Sequence, residues 1–220
     1  ACINFNNWKI PGTATLEFFK FTDIIDSRCL YMSENKLGAL IQYSEFRDVS
    51  ISDDSMSQTG CGSCIISANS GNITINGCSF INTRASRDGG AIYASSQSIE
   101  IHNCTFNECK VVFNNDNPLA DQAHGGAIYL DSSAPTGIEI ISENVFTDCS
   151  ATNSGGALFV AGFNNDISDS QHQNSYTVFV KSCNFTRCNT KIEGGAVCCG
   201  YQSEDEENAE LDDDITFIDC

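Results

Sequence analysis

The chain has 220 residues, with 29 acidic against 11 basic side chains, a formal net charge of −18 and 41% apolar residues. The charge argues against nucleic acid or an anionic membrane surface as partner, since phosphates would be repelled. The ordinary apolar content argues against disorder. No run of 18 apolar residues is present, so no membrane-spanning helix is expected.

Residues 1–13 carry no repeat and read as a lead-in or cap. From residue 14 a template recurs: apolar, x, apolar, x, x, small, x, Phe. It reads Ala14, Leu16, Phe19, Phe21, then Ala39, Ile41, Ser44, Phe46. The next copies are Ile73, Ile75, Cys78, Phe80 and Ile99, Ile101, Cys104, Phe106. A fifth, around Ile138, Ile140, Asn144 and Phe146, reads as one residue longer, and the sixth is Val178, Val180, Cys183, Phe185. Three residues after each Phe stands a small or apolar residue: Ile24, Val49, Thr83, Cys109, Cys149 and Cys188, with Phe217 and Cys220 taken as a seventh pair. Alternation with period two predicts strands, and the phase break inside the template predicts a bend between two short strands.

A second signature follows the Phe. Gly89-Gly90, Gly125-Gly126, Gly155-Gly156 and Gly194-Gly195 each precede Ala and an aliphatic residue, and segments 62–64 and 38–40 read as degenerate copies. Double glycine allows positive φ at a tight corner and close approach of neighbouring backbone. Beyond three of these corners an aromatic follows the inward aliphatic residue, predicting Tyr93, Tyr129 and Phe159 on the outside. Such units cannot bury an apolar face alone. Stacked about 4.8 Å apart they share one core. The reading is all-β: a right-handed parallel β-helix solenoid of about seven coils over 14–220. It predicts a phenylalanine stack, a ladder of Cys109, Cys149, Cys188 and Cys220, and a second series of Cys78, Cys104 and Cys183. Thirteen cysteines, an odd number, fit either a secreted disulfide framework or thiols packed as small hydrophobes.

The pairing of Gly-Gly-Ala-[Ile/Leu/Val] with Phe-x-x-[Asn/Cys] resembles the repeat of the polymorphic outer-membrane-protein family over roughly residues 14–220. That repeat occurs in bacterial autotransporter passengers and in surface β-helix proteins of parasitic protists. Cys stands here where the bacterial form has Asn, which points to the Cys-rich protist version. The resemblance implies an extracellular or surface-displayed structural or adhesive role and transfers no catalytic residue. Cys220 falls inside a repeat, so further repeats are expected beyond it, and a start at Ala1 fits a mature secreted form or a fragment.

Insertions at 111–122, 162–175 and 202–214 predict loops on the solenoid, the usual place for binding. The last carries Glu204, Asp205, Glu206, Asp212, Asp213 and Asp214, candidates for a Ca²⁺ cofactor; without a fixed oxygen-ligand spacing they read more readily as a solvated loop. Asp166 and Asp169, with Tyr93, Tyr129 and Phe159, are candidate partner-binding residues for a protein or glycan, a neighbouring copy or a larger assembly. A carbohydrate-active enzyme on the same fold, a lyase or glycosidase, would need paired carboxylates, for which Asp121, Asp131 and Glu100 are candidates. A scaffold component of a filament or large assembly, which would leave room for an intracellular location, is the third reading. His102, His124 and His172 are scattered and read as exposed polar residues. Cys61 and Cys64 have CxxC spacing without a second pair, fitting core packing or a local disulfide better than zinc. Register puts Cys199 inward and Cys198 outward, making Cys198 the candidate reactive thiol. Asn72, Asn103 and Asn184 head N-glycosylation sequons.

Overall fold

The computed structural model describes residues 2–7, 9, 11–33, 36–52, 60–96, 98–112, 123–131, 138–161, 177–192, 194–200 and 214–220. They form three long sheets in which every pairing is parallel, the arrangement of a β-solenoid. The first sheet stacks Ile3–Asn6, Leu30–Ser33, Ile65–Ser70, Ile92–Ser96, Ile128–Asp131, Leu158–Ala161 and Val197–Gly200. The second stacks Gly12–Glu17, Leu37–Gln42, Ile73–Asn76, Ile99–His102, Ile138–Ser142, Thr177–Lys181 and Asp214–Ile218. The third begins with Lys20–Ile25, Glu45–Ser50 and Ser79–Ala85 and continues as short strand pairs through Asn189–Thr190. The chain visits the sheets in turn, so each rung lies on the one before it. No α-helix occurs among the described residues.

The predicted bend falls between the second and third sheets. Its corner residue has left-handed backbone at Phe18, Tyr43, Gly77, Asn103, Glu143, Ser182 and Asp219. The Gly-Gly corners lead into the first sheet. Gly126 shows why no side chain is tolerated there: a Cβ would lie 2.0 Å from the Gly156 carbonyl oxygen of the next rung. Segment 62–64 is a true copy, with Gly62 at φ 50°. Gly38 is not, because it sits in a second-sheet strand paired with Thr13.

The phenylalanine stack runs through Phe21, Phe46, Phe80, Phe106, Phe146 and Phe185. Centroids from Phe46 to Phe185 are 4.8 Å apart with planes within 7° of parallel. That spacing is the strand separation itself, so like residues in register make the stack unavoidable. Phe217 does not join it. It pairs in the second sheet with Val180, and it is 51% exposed. The segment from Ile215 to Cys220 is a template of apolar, x, apolar, x, x, Cys, in which Phe217 fills the second apolar slot. Cys220 therefore matches Cys183, not Cys188: each thiol donates to a carbonyl of the preceding rung at 3.5 Å, Cys183 to Ile141 and Cys220 to Val180. The fifth copy is also corrected. Ile99 and Ile101 pair with Glu139 and Ile141, so its length is standard and Glu139 takes an apolar position.

The small position of the template is a hydrogen-bonding position. The Cys104 sulfur accepts the N–H of Cys78 at 3.4 Å and donates to the Ile75 carbonyl at 3.8 Å. One rung on, Asn144 does the same with two atoms: Oδ1 accepts the N–H of Cys104 and Nδ2 donates to the Ile101 carbonyl, both at 2.8 Å. At an earlier rung the Ser44 hydroxyl accepts the N–H of Phe19 at 3.2 Å. A buried corner leaves backbone groups that water cannot reach, and this side chain satisfies them.

Candidate functional site

In four successive rungs the residue before the corner glycine stands in one column: Cys61, Asp88, His124 and Ser154. The backbone fixes the register, with Gly62 donating to the Asp88 carbonyl, Gly89 to that of His124 and Gly125 to that of Ser154. Cys61, Asp88 and Ser154 are buried and His124 is half-buried. An Asp88 carboxyl oxygen accepts the backbone N–H of His124 at 3.0 Å. The His124 ring stacks on Phe159, 4.4 Å between centroids, so His124 is not the exposed polar residue that its sequence position predicts.

Alongside runs a row of side chains on the opposite face of the first sheet from the core: Ile66, Tyr93, Tyr129 and Phe159, with Cys198 packed at its end. Tyr93 pairs with Tyr129, and Tyr129 with Phe159. The rings stack at 5.2 and 5.4 Å. They point away from the core as predicted, but they are only 4–5% exposed. Reading them as an open aromatic face is therefore corrected: they form a second, outer apolar cluster. Tyr93 donates its hydroxyl to Asp131 Oδ2 at 3.0 Å, and the Arg28 guanidinium lies 5.9 Å over the Tyr31 ring.

Burial shifts the titratable groups of this region. Burial, reinforced by the Asp88 charge, pushes the Cys61 thiol up to about 12. Burial also raises Asp88, against the opposing N–H and charge of His124. It raises the Tyr93 and Tyr129 hydroxyls too, with Asp131 adding to the first and Asp88 to the second. The Cys61 thiol and the two tyrosine hydroxyls are thereby held protonated at neutral pH, whereas the upward shift of Asp88 is toward neutrality, the direction that suits a general acid or base.

All thirteen cysteines are thiols in the structure. Besides the runs Cys78–Cys104, Cys109–Cys149–Cys188 and Cys183–Cys220, a further run escaped the repeat template. Cys2, Cys29 and Cys64 precede the registered residues Ile3, Leu30 and Ile65, and continue as Ala91, Ala127, Ala157 and Ala196. Cys64 is raised by burial and then by its hydrogen bond to Cys29. Cys149 is raised first by its hydrogen bond to Cys109. Cys198 pairs with Phe159 and Cys199 with Val160, matching the expected outward and inward assignment. Exposure is the reverse of what that assignment suggests: Cys198 is half-buried on the outer cluster, and Cys199 is exposed.

Of the carboxylate candidates, the two among the described residues lie in different sheets. Asp131 ends a first-sheet strand, while Glu100 lies in the second sheet, 3.6 Å from His102. The other ring nitrogen of His102 is 2.6 Å from the Ser142 hydroxyl. Asp121, His172, Asp166, Asp169, Glu204, Asp205, Glu206, Asp212 and Asp213 lie outside the described residues, as does the Asp214 side chain. Among the described residues no group of three or more His, Cys, Asp or Glu could hold a metal ion. All three sequon asparagines, Asn72, Asn103 and Asn184, are exposed.

Compared with known proteins, the chain matches no family, no curated protein and no solved structure.

The column of Cys61, Asp88, His124 and Ser154 is visible in the sequence as the residue before the corner glycine. It carries no shared residue type, and only the register reveals that the four positions are neighbours.

Proposed function

We propose that the chain is a right-handed parallel β-helix of about seven coils, serving as a non-catalytic structural or adhesive module at a cell surface. The observation that carries the reading is the filled interior: from Phe46 to Phe185 each Phe lies on the next at 4.8 Å. A packed solenoid of this kind offers a ligand its long outer faces instead of a central cavity. Polar side chains bridge rungs on those faces, as where Asn82 Nδ2 donates to Asp48 Oδ1 and Arg187 donates twice to Asp148, each at 2.6 Å. Exposed sequons agree with passage through a secretory pathway, and the repeat resemblance agrees with surface display.

The test incubates the chain with a polysaccharide panel, with and without Ca²⁺, following new reducing ends and unsaturated products. In parallel, retention of chain-coated beads is measured on the same polysaccharides and on protein matrices. Retention without turnover is expected. Turnover that Asp131→Asn or Glu100→Gln abolishes would overturn the reading in favour of a carbohydrate-active enzyme.

A further inference from the structure

The corner between the second and third sheets uses left-handed backbone at every rung, and most rungs fill it with residues that suit it or are small or polar: Gly77, Asn103, Glu143, Ser182 and Asp219. The first two rungs do not. Phe18 and Tyr43 hold φ of 58° and 51°, a conformation in which a bulky side chain is a genuine outlier. Burial does not account for the choice, because Phe18 is 75% and Tyr43 53% exposed. The rings stack on each other, 5.5 Å between centroids and 21° between planes. Tyr43 also fills the space that a Cβ at Gly77 would need, its ring atoms standing 2.9 and 3.0 Å from that point. An unfavourable backbone kept to hold aromatic rings in water is the kind of outlier that clusters at binding sites.

Polar groups flank the rings. Gln42 and Glu17, the residues preceding Tyr43 and Phe18, are joined across the rungs, with Gln42 Nε2 donating to Glu17 Oε1. On the other side Lys20 pairs with Glu45 at 3.3 Å, and the Ser44 hydroxyl donates to the Gln42 carbonyl at 2.9 Å.

The geometry points to a carbohydrate platform: the Phe18–Tyr43 ridge binds a neutral hexose-based glycan, taking the C–H face of a sugar ring on Phe18 and its hydroxyls on Gln42 and Glu17. This assignment rests on the surface-module reading and names its ligand class. Two aromatic side chains cover about 150–250 Å² each, short of the ~800 Å² per partner that a stable protein interface needs. A proline-rich peptide docks in a groove between aromatic walls, and here the two rings are closed on one another. A net charge of −18 disfavours uronic or sulfated glycans and anionic lipid surfaces.

The experiment measures binding of the full 220-residue chain to neutral gluco-, manno- and galacto-oligosaccharides, to polygalacturonate and to a proline-rich peptide, by titration calorimetry. Phe18→Asn and Tyr43→Asn serve as variants because asparagine suits the left-handed corner. At least one neutral series should bind, polygalacturonate and the peptide should not, and each variant should lose tenfold or more in affinity while keeping or raising its urea midpoint. Unchanged affinity in both variants, ridge-dependent binding of the peptide, or a fall in the urea midpoint that marks the pair as a structural staple would overturn the platform. Beads that adhere although no neutral glycan binds would refute the platform alone. Beads that adhere to nothing would remove the module reading with it.

Discussion

Replacing Phe106 by alanine tests whether the stack is the main source of cohesion. Its ring is fully buried and lies between Phe80 and Phe146, each 4.8 Å away. Removing it forfeits about 2–3 kcal/mol of transfer free energy and two ring contacts worth about 0.5–1.5 kcal/mol each. The sum agrees with the ~3–5 kcal/mol typical of Phe→Ala in a core. The cavity cannot collapse easily, because the rungs on either side are held apart by their own strand pairing. Phe185 has one ring neighbour in the stack, Phe146, and is half-buried, so Phe185→Ala should cost about half as much. Urea unfolding followed by far-ultraviolet circular dichroism gives both values. Hydrogen exchange should show the Phe106 damage confined to adjacent rungs, as expected where each repeat contacts only its neighbours. Equal losses in the two variants, or a loss below about 1 kcal/mol at Phe106, would refute the reasoning.

Asn144→Ala should cost about 2–4 kcal/mol by leaving the N–H of Cys104 and the carbonyl of Ile101 unpaired in the core. Asn144→Cys should recover most of that, since the Cys104 sulfur plays both parts one rung earlier; equal denaturation midpoints for the two variants would count against the ladder. Gly126→Ala drives a Cβ to 2.0 Å from the Gly156 carbonyl and 2.6 Å from that of Ser150, so it should destabilise by about 1–3 kcal/mol or more, and a neutral result in the same unfolding assay would contradict the packing. Native-state alkylation read by mass spectrometry should modify Cys199 while sparing Cys61, Cys64 and Cys104, with Cys199 reacting faster as pH climbs toward its raised value of about 11; early labelling of Cys104 would be incompatible with its burial. Folded Cys61 keeps its proton to about pH 12 whereas an ordinary thiol releases it near 9.0. Its contribution to stability is therefore complete below about pH 9 and is lost as pH rises through that window. Cys61→Ala should fall less steeply in urea midpoint between pH 8 and 11 than the parent chain, and parallel curves would dismiss the linkage.

Much of the architecture was legible in the residues because a stacked repeat places each side chain on a copy of itself. Alternating Ile99 and Ile101, the break before Phe106, and Gly125-Gly126 each predict a local conformation, and repetition carries that conformation along the whole stack. The errors fell where one local pattern admits two registers. Phe217 can head a Phe-x-x-Cys pair in the third sheet or fill an apolar slot in the second, and only its pairing with Val180 decides between them. Ile138 and Ile140 compete with Glu139 and Ile141 in the same way, one residue apart, and the ladder to Ile99 and Ile101 settles the frame.

Sequence by itself determined most of the strands, their bends and the repeating positions of the main core, because those follow from period-two alternation and from the backbone freedom of glycine. Tertiary structure alone decided which outward residues stay in water. Tyr93, Tyr129 and Phe159 occupy outward positions and are buried in a second cluster, while Phe18 and Tyr43 stand exposed at a corner. Alternation tells which side of a strand a side chain leaves from. Whether that side is covered depends on contacts between rungs, such as that of His124 with Phe159, and no local pattern encodes them.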